Sequence, residues 1–130
     1  MSDLERTMAA SASGMAAQAA RIRLTTENIA NADTPGYRRK TVSFEEALLG
    51  TGDMRAVRTG PVRLDKAELV RIFDPTNPLA GKDGSFEGSN VDMLVEIADA
   101  REANRSYEAN LKMFDQARQM ATALLDLLRK

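Results

Sequence analysis

"NIANADTPGYRRK", residues 28–40, decides how this chain is put together. A helical pattern runs into it, Asn28 and Asn31 stand three residues apart, and Thr34-Pro35-Gly36-Tyr37 follows at once. Proline presets φ at the second position of a turn, and glycine accepts the positive φ that a type II turn needs at the third. Pro35 also drives Thr34 away from helical geometry, so the helix before it must stop near Ala32. Asn28 and Asn31 share one helical face, where each either caps backbone locally or bonds to a neighbouring chain. Behind the turn, residues 37–44 (YRRKTVSF) are strand-compatible. Alternation would send Arg38, Arg39 and Lys40 to opposite faces, which reads as a solvated strand rather than a phosphate site.

Upstream, Met8, Met15, Ile22 and Ile29 recur every seven residues, with Leu4, Ala12, Ala19 and Thr26 on an intermediate line. This is a coiled-coil-like stripe whose second line is small enough for close helix approach. Gly14 sits inside it at an intrinsic cost of roughly 1 kcal/mol relative to Ala. Downstream, Met93, Ala100, Tyr107, Phe114, Ala121 and Leu128 repeat the spacing, flanked by Ala103, Ala117 and Leu124. No Gly or Pro occurs after Gly88, Asn90 offers an N-cap, and Arg129 with Lys130 suits the negative end of the helix dipole. One helix of about 38 residues, roughly 57 Å long, is expected there.

The middle of the chain holds most of the glycines and every proline but Pro35. Ser43 and Glu46 form a capping-box pattern ahead of a short helical SFEEALL segment ended by Gly50. Residues 56–58, 62–64 and 69–73 read as short strands separated by TGP and DKA, and 74–88 as a loop. The fold class expected is mainly α with a small β region. Long N- and C-terminal helices pair as a coiled-coil-like hairpin, with a short β-rich insertion between them. The units are residues 1–32, 33–89 and 90–130. Two helices bury only one stripe each, so much apolar surface is left for other copies or other chains.

Composition narrows the function. With no Cys and no His there is no thiolate nucleophile, no imidazole acid or base, and no Cys or His metal site. The 18 basic and 19 acidic side chains leave a net charge of −1, which gives no general field for nucleic acid or anionic lipid. No catalytic, cofactor-binding or metal-binding residue is expected. "DPTNPLAGKDGS" fails as a calcium loop because Leu79 stands where Gly is required and Ser85 where Glu is. "GTGDMRAVRTG" lacks the Gly-Lys-Ser/Thr ending of a phosphate loop. Residues 7–20 are uncharged but carry no Leu, Ile, Val or Phe, so they do not read as a cleaved signal.

"LTTENIANADTPGYRRKTVSF" (24–44) resembles the N-terminal signature of bacterial flagellar rod and hook proteins. "NVDMLVEIADAREANRSYEANLKMFDQARQM" (90–120) resembles the C-terminal helix of the same family, and "FDPTNPLAGKDG" (73–84) resembles its proximal-rod members. The compact ADTPGY is also typical of FlgB and the distal rod proteins, so the paralogue stays open at this point. The resemblance implies a structural subunit that packs helically into the hollow rod of the basal body. The terminal helices would form the inner tube and the middle would lie outside. It implies export by the type III apparatus without cleavage, and a place in the periplasm. Implied partners are further copies, rod proteins of the FlgB, FlgF and FlgG type, and the FliE-type adaptor to the MS ring, with neither nucleic acid nor a small-molecule substrate. Met8, Met15, Ile22, Ile29, Met93, Tyr107, Phe114, Leu124 and Leu128 are then the packing residues. Asn28, Asn31, Thr34, Pro35, Gly36 and Tyr37 fix the helix exit. A soluble coiled-coil adaptor or chaperone, and a small carboxylate hydrolase, are the other classes weighed.

Overall fold

The computed structural model describes residues 2–48 and 55–129. Helix α1 spans Asp3–Ala30. Its start is fixed by Ser2, whose Oγ accepts from the Glu5 amide at 3.2 Å while the Glu5 carboxylate accepts from the Ser2 amide at 2.8 Å. This reciprocal bond satisfies two amides that a helix start otherwise leaves unpaired. The bond to the Ser2 backbone, with that to its hydroxyl, lowers the Glu5 pKa. At the other end the turn is as expected: Tyr37 N–H donates to the Thr34 carbonyl at 3.1 Å, and Gly36 has φ of +76°.

Strand β1 spans Lys40–Leu48 and β2 spans Arg55–Leu64, paired antiparallel. The expected SFEEALL helix is therefore wrong: residues 43–48 are strand, and Leu49 with the expected stop at Gly50 lies outside the described residues. Seven residues are too few to hold a helix without tertiary support. As a strand they gain cross-strand ion pairs, Glu45 with Arg58 at 3.2 Å and Glu46 with Arg55 at 2.7 Å. The capping box that exists is Ser2/Glu5, not Ser43/Glu46. The TGP triplet does not separate two strands either. Val42 pairs with Val62 but Phe44 with Thr59, so Gly60 and Pro61 together oppose Ser43 in a β-bulge. A bulge is one of the few places a strand tolerates Pro. A Cβ on residue 60 would stand 2.6 Å from the Ser43 hydroxyl, so any larger residue there needs Ser43 to turn aside.

The expected third strand shortens to β3, Arg71–Phe73. It pairs with β4, Ser85–Glu87, a strand missed inside the expected loop. Three residues carry too little alternation to be read from sequence. Helix α2 then spans Met93–Leu128, 36 residues and about 54 Å. Its N-cap is Asp92, whose carboxylate accepts from the Leu94 amide at 3.0 Å, and not Asn90, which is used elsewhere.

The two helices run antiparallel, their meeting points stepping by seven residues in opposite directions. Asn28 meets Glu96, Arg21 meets Asp99 and Glu102, and Gly14 faces Asn110. The seam is small and polar: Ser11, Gly14, Ala17, Leu24, Thr25 and Asn28 on α1 against Glu96, Ala103 and Ala117 on α2. Met8, Met15, Ile22 and Ile29 flank it half-buried, while Ala12, Ala19 and Thr26 face outward, opposite to the expected second line. On α2 the flanking line through Ala103 and Ala117 is the buried one. Tyr107 and Phe114 are half-buried; Met93, Leu124 and Leu128 are exposed. The ribbon of β1 and β2 lies along α1, with Ala56 buried and the Val57 amide donating to Ser13 Oγ at 3.1 Å.

Close approach at the helix crossing depends on Gly14, where an added Cβ would lie 2.8 Å from the Asn110 amide. Gly14→Ala meets only a side-chain tip that can rotate away. Gly14→Leu has no such escape and is expected to destabilise by roughly 1–3 kcal/mol, as overpacked sites do. Chemical denaturation of the two variants checks the order.

Candidate functional site: the helix-exit joint

The residues expected to shape the helix exit converge on one side chain. Asn28 is 1% exposed. Its Oδ1 accepts from the Lys40 amide at 2.9 Å and from the Tyr37 hydroxyl at 2.8 Å. Its Nδ2 donates to the Lys40 carbonyl at 2.9 Å and to Glu96 at 3.2 Å. All four hydrogen-bonding positions of the amide are used. The two bonds to Lys40 imitate a strand partner, so the first residue of β1 pairs with a helix side chain before it pairs with β2. Asn28 thus neither caps its own helix nor waits for another chain. Asn31 acts locally: its Nδ2 donates to the Glu27 carbonyl at 2.9 Å and its Oδ1 accepts from Thr34 Oγ1 at 3.1 Å. Gly36 N–H donates to the Gly88 carbonyl at 2.9 Å, and Ser89 donates to the Ala32 carbonyl, which ties the turn to the segment entering α2.

Beneath this lies an ion network that sequence reading missed. Glu96 is fully buried, and accepts from Arg39 Nε on one oxygen and Asn28 on the other. Arg39 also reaches Asp99 at 2.8 Å and Asp65 at 3.7 Å, and Arg21 joins Asp99 at 3.2 Å from α1. Arg38 donates to the carbonyls of Asp65 and Ala67, so the Arg-Arg-Lys run is not a solvated strand. Asn90 accepts from the Arg39 amide and donates to the same two carbonyls, which is why it is unavailable as a helix cap. A charged residue on the otherwise Ala- and Asn-bearing 96–103–110–117 line was the available signal for Glu96.

The electrostatics follow from burial and pairing. Burial pulls the Arg39 guanidinium down, but its bond to Glu96 and the charges of Glu96, Asp99 and Asp65 outweigh it and hold it above its ordinary value. The Tyr37 phenol is pushed up by burial and by the nearby Glu27 charge. Lys40 is raised by its bond to Glu27. Every charged group at the joint is paired within the chain, so the arrangement holds elements together and offers no poised acid, base or nucleophile. Among the described residues no cluster is arranged to hold a metal ion, and no helix is long and apolar enough to cross a membrane.

Removing the hub leaves several buried groups unpaired. Asn28→Ala is expected to cost on the order of 3 kcal/mol. Glu96→Ala should cost about 3 kcal/mol, the lower end for a broken buried pair because Arg39 keeps Asp99. Denaturant titration measures both. The pH dependence has a definite sign. Tyr37 and Lys40 have raised folded pKa values, so their contribution is complete below the unfolded values of about 10 and is lost as pH rises through the folded ones. Melting temperature should fall above about pH 10, less steeply in Tyr37→Phe.

The comparisons with known proteins match the two helices and the joint. A family described as "Flagella basal body rod protein" matches residues 8–38, and one described as "Flagellar basal body rod FlgEFG protein C-terminal" matches residues 82–127. The chain is 43% identical to the flagellar basal-body rod protein FlgC of Agrobacterium fabrum, over 90% of this chain and 89% of that one. It is 31% identical to the FlgC of Salmonella typhimurium, over 88% and 90%, and 30% identical to that of Bacillus subtilis, over 90% and 93%. With paired terminal helices, a braced helix exit and relatives matched along nearly their whole length, the chain belongs to the flagellar basal-body rod protein family.

Proposed function

We propose that this chain is a structural subunit of the proximal rod of the bacterial flagellum, assembling helically into a hollow shaft that transmits torque across the periplasm and passes exported subunits. Similarity to FlgC over nine-tenths of the chain carries this reading. In it, residues 1–32 and 90–130 are the tube-forming core and 33–89 the outer region. The subunit works without catalysis. The amount of apolar surface a single copy leaves wet, including Met113, Met120, Leu124 and Leu128, supports the structural role. Met8, Met15, Ile22, Ile29, Met93, Tyr107, Phe114, Leu124 and Leu128 pack within and between subunits. The neighbours are further copies and rod proteins of the FlgB, FlgF and FlgG type, with the FliE-type adaptor at the base. The chain reaches them through the type III export apparatus, uncleaved.

The test is genetic and structural at once. Deleting the gene should abolish swimming, and the intact chain should restore it. Gly36 isolates the joint, because a side chain there meets no atom within 4 Å and only the φ of +76° opposes it. Gly36→Val should be produced at normal levels yet fail to support swimming, since a β-branched residue resists positive φ at about 1–2 kcal/mol or more. Gly36→Asn, which tolerates that conformation, should swim. Normal swimming by Gly36→Val would remove the turn from the mechanism.

A further inference from the structure

The turn that joins β3 to β4 contains a step with chemistry of its own. Asp83-Gly84 is the one place in the chain where Asp or Asn is followed by Gly. In such a step the following amide nitrogen can attack the aspartyl Cγ. A Cγ–N bond forms, a Cγ–O bond breaks, and the carboxyl OH leaves with the amide hydrogen as water. Water then reopens the cyclic imide at either carbonyl, and attack at the backbone carbonyl leaves isoaspartate, with the main chain running through Cβ and Cγ. Glycine has no Cβ to crowd the nitrogen, which eases the approach. The turn itself selects that glycine: Gly84 has φ of +79°, and an added Cβ would stand 2.9 Å from the Phe73 ring and 3.1 Å from Pro75. The Asp83 side chain is 62% exposed, so water reaches it.

Both reacting groups are nevertheless held. Asp83 Oδ1 accepts from the Ser85 amide at 3.2 Å, and Oδ2 accepts from the Ser85 hydroxyl at 2.7 Å and from Arg71 Nη2 at 3.1 Å. Arg71 Nη2 also donates to Ser85 Oγ at 2.9 Å, so the three side chains brace one another across the two strands. The attacking amide is engaged too, Gly84 N–H donating to the Gly81 carbonyl at 3.0 Å. Bonds of this kind favour the carboxylate, which has no OH to lose. The Ser85 hydroxyl and then the Ser85 amide hold the Asp83 carboxyl below its ordinary value, and Arg71 adds to them. We propose that Asp83-Gly84 is a latent isoaspartate site and that Ser85 and Arg71 are the positioning residues that keep it closed. Conversion would lengthen the main chain just before the Gly84 and Ser85 carbonyls, which accept from Asp74 and Gly81 at 2.9 Å each. Strands of three residues have no further pairs to hold their register against that shift. Among the described residues, β3 and β4 pack on no other strand or helix, so this chemistry does not depend on the rod reading.

Ageing of the full chain tests this. The purified protein is held at physiological temperature and pH, natively and in guanidinium chloride. Isoaspartate is then counted with an isoaspartyl methyltransferase and labelled S-adenosylmethionine, and placed by mass spectrometry of peptides. At residue 83 the native chain should convert several-fold more slowly than the unfolded one. Ser85→Ala and Arg71→Ala should approach the unfolded rate, with circular dichroism confirming unchanged helix content. Ser85→Thr and Arg71→Lys, which keep the hydroxyl and the charge, should restore slow conversion, a rescue that general loosening of the hairpin does not give. Carbon NMR should show the Asp83 carboxyl titrating at higher pH in Ser85→Ala than in the unaltered chain. Asp83→Glu should give no product there, because its longer side chain has to close a larger ring. Equal rates in the native and unfolded chain, or in the unaltered chain and both alanine variants, would overturn the clamp. An unfolded chain that forms no isoaspartate at residue 83 would overturn the site itself.

Discussion

A single amide organises the molecule. Asn28 stands on α1 where the turn, the first residue of β1 and the start of α2 meet, and it bonds to all three through Tyr37, Lys40 and Glu96. Each bond has a direction, so the group fixes angle as well as proximity. Apolar packing would not do this, because it depends on area removed from water and is indifferent to small rotations. The buried Glu96 extends the same constraint through Arg39 to Asp99 and Asp65. A buried ion pair contributes little net stability, since desolvation offsets attraction. Its value here is that breaking either half is costly, which leaves one arrangement of helix, turn and ribbon favoured over its neighbours.

The rest of the seam follows a different rule. Away from the joint the two helices meet through Gly14, Ala17, Ala103 and Ala117, and among the described residues Leu24 is the one large apolar side chain that is buried. Small residues let backbones approach but remove little apolar area from water, at about 25 cal/mol per Å². The larger side chains sit on the flanks and outer faces. A chain built this way holds its shape at one end by polar bonds and keeps most of its hydrophobic surface for contacts outside itself.

This division explains what the sequence made legible. The seven-residue spacing, of Met and Ile in α1 and of Met93, Tyr107, Phe114 and Leu128 in α2, located both helices, and Pro35-Gly36 located the turn, because those signals are local. The spacing left open which residues face the same chain: on α2 the flanking line through Ala103 and Ala117 is the buried one, while on α1 Ala12, Ala19 and Thr26 face outward. Hydrophobic periodicity marks the side that some partner will cover, and in this chain the large residues favour a side other than the one α1 and α2 share. The SFEEALL segment failed for a related reason: its helix-forming residues compete with cross-strand pairing to residues seven to fifteen positions away. At the joint, Asn28 and Tyr37 were singled out, but Arg39, Glu96 and Asn90 were not. Their roles depend on separations of 51 to 68 residues, and no local pattern encodes those.

The proposed rod role would place two demands on the chain that pull against each other. Passage through an export path would favour a small core and weak internal packing, and assembly would favour a fixed angle at the helix exit. Concentrating directional bonds at the corner, and leaving the helix seam small, meets both. The seam contributes little on its own, so in the proposed assembly the far ends of the helices would gain most of their burial beside neighbouring copies. The corner is complete within one chain, since Asn28, Arg39, Glu96 and the turn need no outside group. The joint is therefore fixed by bonds within the chain, and the apolar flanks along the helices are the surface the proposed assembly would cover.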